Sequence, residues 1–442
     1  MANTHIQRTT GSGDNRRKFT YSFWVKLADL TGENKVFIYG TSGTEGGINI
    51  NYPNDGKWNF YDYQSNGYTY QLVPNRLFRD TNAYYHVTVA VDTTQATSSN
   101  RVKIWINGVQ ETSFATETYP SQNAEMACNN SNLFSLGNCP TQSNYFSGIV
   151  SHVHFSDGYA YQASDFGSTD ATTGEWQINT SPNISYGSQG FFILKDGNSL
   201  TDQSPNSNDF STVSGTLTKS EDNPSNVFAT FNPLIGLHSN GGTLVPNLEA
   251  GNTDAWYNST QWRIAQSTLA TSSGKYYAEF KQSNDYGTDY AYIGIWDIDA
   301  YAEKITGYPL LSDMANCFGF RNDTGDVYAS GSSSSYGSSW TTNDIIGIAL
   351  DCDNNKLYFS KNGTWQNSAN PSNGTGGVSI TADKTYAMGL HLYNSAYRVN
   401  FGNGYFGTTA VSSAGTNASG IGIFEYDVPT GFTALSTKGL NE

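Results

Sequence analysis

Residues 344–366 read DIIGIALDCDNNKLYFSKNGTWQ, and the reading of this stretch decides the fold. Asp344 is followed by an apolar run, Ile345–Leu350, and Asp353-Asn354-Asn355 is a turn signal. Leu357, Phe359 and Lys361 then alternate with Tyr358 and Ser360. Asn362-Gly363 closes the piece, because both residues tolerate positive φ. The pattern predicts strand, tight turn, strand and second tight turn. Ile346, Ile348 and Leu350 fall on one strand face, with Leu357, Phe359 and Trp365 as further core positions. A shorter version occurs at residues 101–109, RVKIWINGV, which ends in Asn107-Gly108. Two such units about 250 residues apart point to two β-domains.

Composition agrees. A chain of 442 residues has room for two or three domains. Charged residues make up only 14%, and Ser, Thr, Asn and 45 Gly take their place beside 30 Tyr, 23 Phe and 9 Trp. That mixture suits strands joined by polar turns and argues against both helix and disorder. The net charge of −15 speaks against nucleic acid and anionic membrane surfaces, since no basic cluster exceeds Arg16-Arg17-Lys18. No apolar run approaches the length of a membrane span, and residues 1–18 lack the apolar region of a signal peptide. Four cysteines are too few for a disulfide scaffold. Cys128 with Cys139, or Cys317 with Cys352, are the available pairs, and buried thiols are the simpler expectation.

In the first domain, residues 1–212, Phe19, Tyr21, Phe23, Val25 and Leu27 alternate with Thr20, Ser22, Trp24 and Lys26. Strands are expected at 35–39, 47–52, 58–63, 84–91, 133–136 and 148–155. The order of FTYSFWVKL, YYHVTVAVD, VKIWING and GIVSHVHFSDGYA, followed by Ser164-Asp165-Phe166-Gly167, resembles the concanavalin A-like lectin/laminin-G jelly rolls of phage structural proteins. Residues 213–226, VSGTLTKSEDNPSN, read as a linker. In residues 227–410, the ordered motifs SGKYYAEF, YIGIW, NCFGFRND, NDIIGIALDCDNNKLYFSKNGTW, YAMGLHL and RVNFG resemble the SPRY domain. Residues 411–442 form a tail whose Phe424, Tyr426 and Phe432 should pack back on the second sandwich. The expected fold is all-β: two antiparallel β-sandwiches with little helix.

The SPRY resemblance implies partner binding through loops at one edge. Here these are residues 285–290, 297–308, 323–340 and 393–397, with Tyr286, Asp289, Tyr301, Tyr308, Asp323, Tyr336, Trp340 and Tyr393 as candidates. Their Tyr, Ser, Gly and Asn content suits a contact surface as well as plain solvated loops. In the first domain Trp58, Tyr61, Tyr63, Tyr68 and Tyr70 form a dense aromatic segment, in which alternate rings must point outward and are available to stack on sugar. His152 and His154 share a strand face, where packing is a simpler reading than metal binding. The jelly-roll resemblance brings calcium into consideration, with Asp55, Asp62 and Asp92 at hand, but no spaced cluster matches a calcium loop and no cofactor is expected.

No local catalytic motif stands in the sequence, which leaves open only a Ser-His-Asp triad assembled from distant residues. There is no Glu-x-Asp-x-x-Glu strand of the retaining glucanases; Glu425-Tyr426-Asp427 comes nearest and runs into Pro429. No GxSxG elbow or phosphate-binding glycine loop occurs. The resemblances together imply a non-enzymatic phage virion protein, a fibre or surface appendage. It would work in an oligomeric assembly, binding host-surface glycans or receptors or neighbouring virion proteins. A capsid decoration protein without host contact is the alternative, and a glycan hydrolase the third reading. The arm at residues 1–13 is the candidate attachment peptide.

Overall fold

The Lys18–Leu27 strand shows how the first sandwich is built. Phe19, Tyr21, Phe23, Val25 and Leu27 all point into one core, as their alternation requires. The strand lies at the centre of a six-stranded antiparallel sheet, between Gly148–Asp157 and Tyr85–Asp92. An eight-stranded sheet faces it and supplies Val36, Phe37, Tyr39, Ile48, Trp58, Phe60, Tyr70 and Phe134. The structure is a computed structural model. It describes all residues except 1–3, 12–14, 42, 53–54, 131, 139–143, 196, 198, 236–243, 300–314 and 442. Its contacts divide into two units, Met1–Lys219 and Ser220–Glu442.

The alternate face of Lys18–Leu27 is also buried, because residues 158–186 run over it. Thr20 Oγ1 donates to the Tyr159 carbonyl and accepts from the Tyr161 amide. Trp176 reaches the Asn107-Gly108 turn, where a Cβ on Gly108 would lie 2.3 Å from its ring. His152 and His154 do not sit in a regular strand. The register slips between Ser151 and His154, His152 takes φ 49°, and both rings pack on Phe192. The stretch expected to be a linker begins inside the first unit: Ser211–Ser214 is a strand beside His5–Thr9, and Leu217 packs on the first core.

In the second unit Ile345–Asp351 and Lys356–Lys361 form a hairpin, pairing Ile346 with Lys361, Ile348 with Phe359 and Leu350 with Leu357. The Asn362-Gly363 turn takes φ values of 49° and 79°, and Asn107-Gly108 takes 48° and 78°. Positive φ at both central residues is the type I′ signature that matches strand twist. Trp365 leaves the core expected for it. It is half-buried and packs against Tyr277 beneath the tail, because the turn moves it to the outer face.

Strand Lys275–Asp297 organises this unit. Residues 275–281 pair with Ile345–Asp351, residues 292–295 pair with Phe318–Arg321, and Tyr386–Asn400 follows along the other edge. Residues 285–290 and 393–397, expected as loops, therefore lie within strands that break register. The expected strand at Trp262–Ala265 belongs to a longer one, Asp254–Thr271. The tail crosses the outer face, where Ile421, Phe424, Val428, Phe432 and Ala434 pack on Tyr277, Ala349 and Tyr358. The Glu279 carboxylate, fully buried, anchors it by accepting the backbone N–H groups of Glu425 (2.9 Å) and Tyr426 (2.8 Å), the Asn400 amide and the Tyr277 hydroxyl.

Buried titratable groups give the two units different responses to acid. Burial lowers His86 and His391 to about 3 and holds His154 well below its ordinary value. Such imidazoles contribute stability that is complete above about 6.5 and lost as pH falls, because only the unfolded chain takes up the proton. Glu279 is raised to about 7 by burial. Its sign is opposite: the folded state holds the extra proton, so stability falls as pH rises from about 4.5 towards 7. Going from pH 7 to 5, His86 and His391 each cost about 2 kcal/mol and Glu279 returns a similar amount, with His154 acting in the same direction as His86. The first unit, with His86 and His154, is expected to lose protection from hydrogen exchange. The second, where His391 and Glu279 offset each other, should hold. Segment-resolved exchange on the full chain at the two pH values, corrected for intrinsic rates, measures this, and equal loss in both units would contradict it.

Candidate functional site

Strand pairing brings an aromatic row together on the outer face of the second unit. Trp262 pairs with Tyr393, and Tyr393 with Tyr290. One step along, Ile264 pairs with His391, His391 with Tyr292, and Tyr292 with Arg321. Side chains two apart on a strand share a face, so all of these stand on the side opposite Ala265, Ile293 and Leu392 in the core. The Trp262 ring centroid lies 4.6 Å from His391, 5.3 Å from Tyr393, 5.6 Å from Tyr292 and 6.3 Å from Tyr290. Tyr292 and His391 are buried, whereas Trp262, Tyr290, Tyr393 and Tyr328 keep part of their surface open.

Arg321 closes one end. Its Nε and Nη2 donate to the two Asp323 carboxylate oxygens at 2.5 and 2.9 Å, and Nη1 donates to the hydroxyls of Tyr292 and Tyr328 at 3.3 Å. Its guanidinium lies 5.1 Å from the Tyr290 ring. Burial works against the charge, but Asp323 and the flanking tyrosines hold the group above its ordinary value. At the other end the register break leaves residues 258–261 exposed next to Trp262. Asn394, at φ 53°, donates its amide to the Tyr286 and Thr288 carbonyls and so fixes the adjacent break.

The candidate residues divide by position. Tyr393 is in the row, Asp323 braces it through Arg321, and half-buried Tyr286 borders it. Asp289 points the opposite way from Tyr290 and accepts from Gln282 (2.7 Å) and Asn322 (2.8 Å), where burial and Asp285 raise its pKa. Tyr336 and Trp340 are core residues packed around Phe320, and the Trp340 indole donates to the Tyr397 hydroxyl. Their place in a turn-rich stretch concealed that both fill the sandwich. Tyr301 and Tyr308 lie outside the described residues. Sequence reasoning did not single out Trp262, Tyr290, Tyr292, Tyr328 or Arg321. The one available signal was the recurrence of aromatics on the same phase of strands not yet known to be neighbours.

In the first unit the aromatic segment splits by alternation. Trp58 stacks on Phe78 in the core at 4.0 Å, and Tyr70 is buried beside Tyr39. Tyr61 faces outward but is covered, its hydroxyl donating to Glu45 (2.9 Å) beside Lys35, which pairs with Glu45 at 2.6 Å. Tyr63 and Tyr68 keep open surface and meet edge to face at 5.2 Å. The carboxylates considered for calcium are each engaged separately: Asp55 by Lys57, Asp62 by the Ala127 amide and Gln64, and Asp92 by Lys18, Thr94 and Gln95. Among the described residues no group of three or more His, Cys, Asp or Glu could hold a metal ion. Cys317 belongs to the outer-face cluster and Cys352 packs on the inner core, so they do not face each other; Cys139 lies outside the described residues.

One Ser–His contact needs a chemical reading. His86 Nε2 lies 2.9 Å from Ser22 Oγ, and the Trp176 indole N–H donates to His86 Nδ1 at 3.0 Å. Nδ1 is therefore the acceptor, Nε2 carries the proton, and His86 donates to Ser22 instead of taking its proton. Both side chains are buried. This is the reverse of the nucleophile–base arrangement. Glu425 and Asp427 are likewise occupied, accepting from Ser412 and Thr416. Imidazole ¹H–¹⁵N spectra should show His86 protonated at Nε2 and bare at Nδ1 down to about pH 4; a proton on Nδ1 would overturn the assignment.

Comparison with known proteins matches these units to two families. Residues 2–165 match the concanavalin A-like lectin/glucanases superfamily, and residues 275–402 match the SPRY domain. No curated protein matches the chain. Among solved structures, the SPRY domain of human HERC1 aligns at 17% identity and TM-score 0.27, over 33% of this chain and 87% of that one. A putative carbohydrate binding protein from Bacteroides ovatus aligns at 14% and 0.33, over 49% of this chain and 58% of that one. Domains LG4-5 of the mouse laminin alpha1 chain align at 8% and 0.29, over 90% and 86%. At these scores none of the three bears on ligand or partner. The described residues are nearly all β, with a concanavalin A-like match at residues 2–165 followed by a SPRY match at residues 275–402.

Proposed function

We propose that this chain is a non-enzymatic glycan-binding protein, and that its principal contact is the row Trp262–Tyr393–Tyr290. The observation that carries the reading is three partly open rings held side by side by strand register. A pyranose presents an apolar C–H face edged by hydroxyls, which suits flat aromatic surface bordered by short polar side chains. Asn258, Ser259, Thr260 and Gln261 supply that border. Tyr63 and Tyr68 offer a smaller surface of the same kind in the first unit. In keeping with the sequence resemblance to phage structural proteins, the proposed setting is a virion: a fibre or surface appendage touching host-surface glycans or neighbouring virion proteins. Particle reconstruction locates the chain, and contacts confined to the capsid shell would favour the decoration reading.

A glycan array with the full chain, its Trp262→Ala and Tyr393→Ala variants and a Tyr63→Ala/Tyr68→Ala double variant tests the binding. Loss of a central stacking ring should weaken binding roughly tenfold or more. Circular dichroism should show each variant folded. Absence of glycan binding, or binding indifferent to Trp262 and Tyr393, would remove the proposal.

A further inference from the structure

We infer that the Trp262–Tyr393–Tyr290 row takes an uncharged pyranose and rejects acidic sugars, an inference that rests on the glycan reading above. An acidic sugar brings a carboxylate, sulfate or phosphate, and binding it requires a cation with donors to spare. Among the described residues Arg321 stands in the row and is already committed, while Arg263, next to Trp262, is buried on the opposite strand face with its Nε unpartnered. Arg321 spends Nε and Nη2 on the Asp323 carboxylate and Nη1 on two tyrosine hydroxyls, so its charge is neutralised by a fork-to-fork ion pair. Arg263 is buried. Its Nη1 donates to the Trp262 carbonyl, its Nη2 donates to Tyr257 and Gln261, and its plane lies 3.9 Å from the Tyr257 ring.

Acidic groups occupy the surroundings. Asp323 is exposed beside the row, and exposed Asp285 lies at the register break next to it. The chain as a whole carries −15. A sugar carboxylate at the row would leave water to meet a guanidinium already paired with Asp323, which costs affinity rather than adding it. An uncharged pyranose meets no such penalty. The hydroxyls of Tyr290 and Tyr393, the Gln261 amide and the outer lone pairs of Asp323 are the kinds of donor and acceptor that its hydroxyls use. Arg321 in this arrangement is a positioning residue: it holds Tyr292 and Tyr328 and presents Asp323 as an acceptor.

The test is calorimetric titration of the full chain with paired oligosaccharides of one backbone, neutral and with a uronic acid or sulfate added. Neutral ligand should bind at least tenfold tighter, with little dependence on salt, and both affinities should fall in Trp262→Ala. Asp323→Asn should narrow the gap, by leaving Arg321 without its counter-ion and releasing guanidinium donors. Equal or tighter binding of the acidic partner, still dependent on Trp262, overturns the charge selection while leaving the glycan site intact. Binding of either ligand that ignores Trp262 overturns the site itself.

Discussion

The second unit depends on a break in one strand. Lys275–Asp297 starts beside Ile345–Asp351 and finishes beside Phe318–Arg321, and between the two its register against Tyr386–Asn400 slips at Gln282/Asn284 and again at Asp285/Tyr290. An extra length of chain in one strand bends it and increases its twist. Asp254–Thr271 slips at the same level, between Tyr257 and Trp262, and Asn394 adopts positive φ in the strand between them. Beyond the break, Trp262, Tyr393 and Tyr290 land in cross-strand register. The row is thus a by-product of how a long strand serves both halves of a sandwich.

Both sandwiches also solve the same covering problem. Their central strands carry polar and aromatic side chains on the outer face, and a single irregular segment closes each. In the first unit that segment brings Trp176 to His86 and to the Gly108 turn. In the second the tail brings its backbone amides to Glu279 and Tyr426 to the Gly363 turn, where a Cβ would lie 2.6 Å from the ring. Irregular backbone has no ladder partner, so its N–H groups need buried acceptors, and one carboxylate meets two of them. The cost is a buried charge with no ion pair among the described residues, which is why the carboxyl holds its proton towards neutrality.

What was legible in the sequence follows from the range of the signal. The alternation in Phe19–Leu27 and Ile345–Leu350 and the two Asn-Gly turns are local, and they gave sheet faces and hairpin geometry correctly. Register breaks are not local. Residues 285–290 and 393–397 look like loops because Gly and Asn interrupt them, yet hydrogen bonding from neighbouring strands carries the ladder past the interruption. The same limit sorted the site residues. Composition marks Trp340 and Trp262 alike as aromatics in polar surroundings. Only the sheet order shows that Trp340 packs on Phe320 inside while Trp262 stands outside.

Position on a sheet has a consequence for recognition. Loop side chains must be ordered when a ligand arrives, and that ordering reduces affinity. Rings at paired strand positions are ordered beforehand: backbone pairing sets their spacing, and Tyr292, Tyr328 and Arg321 hold one another against rotation. Rigid aromatic surface favours a ligand of fixed shape, such as a sugar ring, over a flexible peptide that must itself be ordered on contact. On the proposed glycan reading, a guanidinium held by Asp323 would not be offered to an incoming anion, so the contacts that order the aromatic row would also bear on which charges it accepts.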